Sequence, residues 1–83
     1  MLSFAEFLLN TPNEYNSHKQ TEIKGLSIED GMKLCKELEE LEPYYAFVIE
    51  LWSTGDYTIY QKDFFPEGNP TGRDRMILGV DNR

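Results

Sequence analysis

From residue 28 onward the apolar positions recur at helical spacing. Ile28, Met32, Leu34, Cys35, Leu38 and Leu41 fall within about half a turn of arc at about 100° per residue, with Gly31 inside it. Glu29, Asp30, Lys33, Lys36, Glu37 and Glu40 take the opposite arc. Ser27 suits the N-cap, because its hydroxyl can accept from an orphan N–H of the first turn. Glu29 and Asp30 then sit at the positive end of the helix dipole. Pro43 stops the helix, since it disfavours helical dihedrals at Glu42 and brings no N–H. The pattern predicts one amphipathic helix over 28–42.

Beyond the proline the period becomes two. Tyr45, Phe47, Ile49 and Leu51 point to one face, and Ala46, Val48, Glu50 and Trp52 to the other. Ser53-Thr54-Gly55-Asp56 is a turn signal, and the strand formers from Tyr57 to Lys62 complete a hairpin. With Thr54 and Gly55 at the centre of the turn, Trp52 faces Tyr57, Glu50 faces Ile59 and Ile49 faces Tyr60. A three-residue loop would change every pair. The strands are expected over about 44–52 and 57–64. A third, over about 74–80, alternates Met76, Leu78 and Val80 with Arg75, Ile77 and Gly79.

Near the start, Ser3-Phe4-Ala5-Glu6 fits a capping box, with Leu2 and Phe7 at staple spacing. Phe4, Phe7 and Leu8 share one side of a two-turn helix. So short a helix must dock to persist, and the hairpin's second face is one place for it. Residues 11–26 are polar; Ile23 can join a short edge strand over 21–24. Residues 67–72 are rich in turn formers. The expected architecture is α+β: a single small domain over 1–83, with helices on one side of a three-stranded antiparallel sheet.

Composition narrows the function classes. The chain has 83 residues, 40% of them hydrophobic, enough for one small core. Its lone cysteine excludes an internal disulfide and a multi-cysteine metal site, which suits a reducing cytoplasm. No apolar run approaches the roughly 20 residues of a membrane span. The N-terminus lacks the basic region of a signal peptide. A net charge of −7 argues against direct binding to nucleic acid or to an anionic membrane, and favours a basic partner.

Catalytic chemistry is not apparent. His18 has no nucleophile or metal cluster beside it. Cys35 lies on the apolar arc and reads as a buried, inert thiol. Glu50 stands mid-strand among aromatics and would be a proton carrier only with a pocket and a partner; a solvent-facing position is the simpler reading. Arg73 and Arg75 around Asp74 read as a surface ion pair. The glycines of 68–72 lack the strand-to-helix context of a phosphate loop. No catalytic residue, metal site or cofactor is expected.

The acidic helix face is the strongest functional feature. Six acids and two lysines lie between Glu29 and Glu42, a local balance of −4 within the total of −7. Helical carboxylates spaced by roughly 5–6 Å can approximate duplex phosphates. The sequence therefore suggests a non-enzymatic acidic protein whose Glu29, Asp30, Glu37 and Glu40 occlude the basic site of a nucleic-acid-binding partner. Small inhibitors of phages and mobile elements, anti-restriction and anti-CRISPR proteins among them, share these general properties, though no motif of such a family is present. An immunity or antitoxin protein neutralising one toxin fits the same acidity. A third reading is an interaction module that forms a homodimer through a sheet face carrying Glu50, Trp52 and Tyr57.

Overall fold

The computed structural model describes residues 2–11, 21–64 and 73–83. Along the chain these form α1 (Phe4–Asn10), β1 (Thr21–Lys24), α2 (Ile28–Leu41), β2 (Phe47–Leu51), β3 (Tyr57–Phe64) and β4 (Arg73–Asp81). The strands make one sheet in the order β1-β4-β3-β2. β2, β3 and β4 are antiparallel neighbours, while β1 lies parallel to β4. The three-stranded antiparallel sheet expected from the sequence is therefore corrected to a four-stranded mixed one. Its fourth strand carries one apolar residue, Ile23, and its partner lies more than fifty residues away, at Leu78–Asp81. Local periodicity cannot register such a pairing. His18 and the 67–72 segment lie outside the described residues.

Both helices cover the same face of the sheet. The core between the layers is built from Ala5 and Leu8 of α1, Leu34, Cys35 and Leu38 of α2, and Phe47, Tyr57, Ile59, Ile77, Leu78 and Val80 of the strands. α2 starts where its cap places it: the Ser27 hydroxyl accepts from the Asp30 N–H at 3.2 Å. It stops at Leu41, and the Glu42 N–H still reaches the Leu38 carbonyl at 2.9 Å before Pro43 breaks the ladder. The buried stripe is Gly31, Leu34, Cys35 and Leu38. Met32 and Leu41, at the two margins of the apolar arc, are exposed.

α1 keeps its capping box, with the Ser3 hydroxyl and the Glu6 backbone N–H 3.2 Å apart. It docks on α2 and β4 on the helical side, not on the second face of the hairpin. The buried residues are Ala5 and Leu8; Phe4 and Phe7 are exposed and their rings stack at 6.2 Å. Arg75 explains the orientation. Its guanidinium donates to the Leu9 and Thr11 carbonyls at 3.0 and 2.9 Å, closing the C-terminal end of α1 from β4. Burial pushes the Arg75 pKa down, with the Glu42 carboxylate acting the other way. Arg75 thus clamps α1 to β4, and Asp74 bonds Lys62 across the sheet at 2.8 Å.

The β2–β3 connection corrects the expected register. The Trp52 N–H donates to the Asp56 carbonyl at 2.8 Å, and the Gly55 N–H to the Trp52 carbonyl at 3.0 Å. Gly55 takes φ +89°, which closes a Ser53-Thr54-Gly55 loop. Leu51 then faces Tyr57, Ile49 faces Ile59, and Glu50 faces Thr58. The C-terminus ties this loop down. Asn82 donates through Nδ2 to the Leu26 and Gly55 carbonyls, and Arg83 pairs with Asp56 at 3.1 Å.

Candidate functional site

α2 divides cleanly. Its stripe faces the sheet, and Glu29, Asp30, Glu37 and Glu40 are all exposed on the other side. Lys33 and Lys36 are exposed among them. Among the described residues no ion pair joins any of these six side chains. Of the described cations elsewhere, Lys24 is exposed and makes no ion pair among the described residues, and three others are held close to home. Lys62 binds Asp74, Arg83 binds Asp56 and Asp81, and Arg75 binds carbonyls of α1. Negative charge on α2 therefore faces solvent, while much of the positive charge is bound within the fold.

The second predicted surface is only partly assembled. Glu50 and Trp52 are exposed, Trp52 by 51%. Tyr57 is 1% exposed and lies on the opposite face, beneath the first turns of α2. Its phenol donates to the Ser27 carbonyl at 2.9 Å, and the absent side chain of Gly31 leaves room for its ring. Tyr57 is therefore corrected from a surface residue to a core residue. The one-residue change of register is the reason, since it reverses which face each β3 side chain takes relative to β2. The residues beside Glu50 on the open face are Thr58, its cross-strand partner, and Tyr60. Burial first, then the Glu50 carboxylate, pushes the Tyr60 phenol above its ordinary pKa. Glu50 itself is exposed to solvent.

Sequence reasoning missed a third feature. α2 and β2 diverge to leave a groove of about 410 Å³, walled by Ile28, Met32, Cys35, Phe47 and Ile49, with Lys36 and Glu39 at its rim. Met32 is 57% exposed within it. The clue was the width of the helix's apolar arc, which spans more than one buried stripe can use. Cys35 closes the floor. Burial, and secondarily the Glu39 carboxylate, push its thiol up to about 11, so it stays protonated at neutral pH. Its place in the core matches the inert thiol expected from the sequence.

A shallow cleft of about 400 Å³ lies at the other end of the sheet, lined by Trp52, Asp56, Thr58, Asp81 and Arg83 among others. Three of its charged groups, Asp56, Asp81 and Arg83, already pair with each other, and Glu22 at its margin is exposed. Among the described residues, no group of three or more His, Cys, Asp or Glu side chains is placed to hold a metal ion. No helix among them is long and apolar enough to cross a membrane. No protein-family model matches this chain, and no curated protein or solved structure matches it either.

Proposed function

We propose that this chain is a cytoplasmic, non-enzymatic binding protein that occludes a basic, nucleic-acid-gripping surface on a partner protein through the acidic face of α2. One observation carries the reading: Glu29, Asp30, Glu37 and Glu40 all face solvent and make no ion pair among the described residues. A surface of this kind draws a lysine- and arginine-rich site by long-range attraction. Association is fast at low salt and is weakened by added salt. The partner's own ligand, a nucleic acid, competes for the same cations.

Affinity capture from host lysate tests this, comparing the native chain with the Glu37→Lys/Glu40→Lys variant, with and without duplex DNA as competitor. Nucleic-acid-binding proteins should be captured by the native chain, released by the duplex, and lost from the variant while its circular dichroism is unchanged. Capture that survives both the competitor and the charge reversal removes the proposal.

A further inference from the structure

β2 is the outermost described strand of the sheet beside the groove. The Trp52 N–H bonds the Asp56 carbonyl, and the Lys62 N–H bonds the Ala46 carbonyl. With Val48 opposite Tyr60 and Glu50 opposite Thr58, the even-numbered residues of this segment exchange hydrogen bonds with β3. The backbone N–H and C=O groups of Phe47, Ile49 and Leu51 therefore point outward, away from β3. Exposed strand edges are ordinarily blunted by lysine, proline or a bulge. β2 has no lysine and no proline, its pairing with β3 runs without a bulge, and its one charge is Glu50. The opposite edge, β1, is four residues long and exposes Glu22 and Lys24.

An added strand would alternate its side chains between two surfaces. One set enters the apolar groove against Met32, Phe47 and Ile49. The other set lies beside Val48 and Glu50 on the open face. Charge decides what that strand is. At the groove's own rim Lys36 balances Glu39, so the sign comes from Glu50 on the strand and from the chain's net charge of −7. Antiparallel pairing with a second copy would set α2 beside its own copy and bring two chains of −7 together. A basic segment gains from the same field. We infer that the β2 edge and the α2–β2 groove accept an extended, basic, apolar-alternating segment of a partner protein as a fifth strand. The sign of the partner's charge rests on the function proposed above; the surface itself does not.

Amide hydrogen exchange on the full chain, with a short peptide of alternating lysine and valine as probe, tests this. The Phe47, Ile49 and Leu51 amides should slow about tenfold on saturation, while those of Val48 and Glu50, already bonded to β3, do not change. A glutamate–valine peptide should give no protection. Leu51→Pro removes only an outward donor from an exposed residue at the end of an edge strand, and Met32→Lys places a cation in the groove at an exposed position. Each should fold by circular dichroism and lose the protection. Peptide binding without protection of these three amides would overturn the inference and leave the acidic-face reading standing. So would equal protection by the glutamate peptide, or a dimer whose outward amides are protected before peptide is added. In the Glu37→Lys/Glu40→Lys variant the edge should still be protected, because those side chains lie away from the groove. Loss of partner capture there, with protection retained, separates the two surfaces.

Discussion

Gly31→Ala should destabilise this protein, although alanine is the better helix former. A Cβ at residue 31 would lie 2.5 Å from the Tyr57 hydroxyl oxygen and 2.7 Å from two ring carbons. Tyr57 cannot swing away cheaply: it is 1% exposed and its hydroxyl is bonded to the Ser27 carbonyl. The helix gains about 1 kcal/mol of propensity from the substitution. Against this stand overpacking, about 1–3 kcal/mol, and a strained or lost hydrogen bond, about 0.5–1.5 kcal/mol. The net loss is roughly 2 kcal/mol. A domain of this size has only about 4–12 kcal/mol in total. The midpoint of thermal unfolding should fall by about 8–16 °C, since each kcal/mol is worth about 4–8 °C in a small domain. Urea melts of Gly31→Ala, Tyr57→Phe and the double variant measure the coupling. Without its hydroxyl the ring loses both the nearest contact and its tether, so Gly31→Ala should cost less in the Tyr57→Phe background. A Gly31→Ala protein as stable as the native chain, or more so, would refute the placement of Tyr57 beneath α2.

Arg75→Met removes the donors that close α1, and should cost roughly 2–3 kcal/mol, with amide exchange in α1 accelerating more than in β4. Ser3→Ala should cost about 1 kcal/mol, read as a lowered midpoint in urea. For Cys35 the folded pKa is raised, from 9.0 to about 11. The unfolded chain therefore loses its proton first as pH rises. Stability should be flat with respect to this group below about pH 9 and fall by about 2–3 kcal/mol by pH 11. The Tyr57 phenol, also raised, adds in the same direction. Cys35→Ala should make the alkaline fall shallower; an unchanged slope in urea melts across this range would contradict the burial argument. Glu40→Lys, at the C-terminal turn of α2, should stabilise the fold by about 0.3–1 kcal/mol while weakening partner capture.

What was legible in the sequence follows the range of the forces that set it. Caps, the proline stop and the two periodicities are local, and α1, α2 and the hairpin strands lie where those signals put them, with bounds moved by at most three residues and those of β3 unmoved. The failures all required distant information. The sequence grouped Phe4, Phe7 and Leu8 on one side of α1, whereas the reach of Arg75 from β4 accompanies a docking that turns Ala5 and Leu8 inward and leaves Phe4 and Phe7 outside. The turn sequence allowed two loop lengths, and the choice moved Tyr57 between faces. It was decided where Gly31 leaves a space that Tyr57 fills, a contact between residues twenty-six apart. β1 lies where Ile23 allowed an edge strand over 21–24; what no local signal carried was its parallel pairing with β4, whose Asp81 carbonyl also accepts from Gly25. The acidic face was legible because solvent exposure follows from the helical period alone. The groove was not, because its second wall comes from β2.

The placement of one α2 acid bears most directly on the proposed binding face. A helix needs no carboxylates at its C-terminal end, where the dipole is negative and lysine or arginine would be favoured. Yet the last turn of α2 has no basic residue and carries Glu39 and Glu40. Neighbour charges do not offset this at Glu40. Its favourable spacing to Lys36 is matched by an unfavourable one to Glu37, so reversing Glu40 exchanges one pair for the other and leaves the dipole term. Glu29 and Asp30, at the N-terminal end, are sound choices for the helix itself and say little. Glu40 breaks a local rule with no compensating contact among the described residues. A local cost without a structural return is where a functional demand on the sequence is most readily placed. Glu40 therefore distinguishes the proposed acidic binding face from an ordinary solvated helix surface, for which its reversal would leave partner capture unchanged.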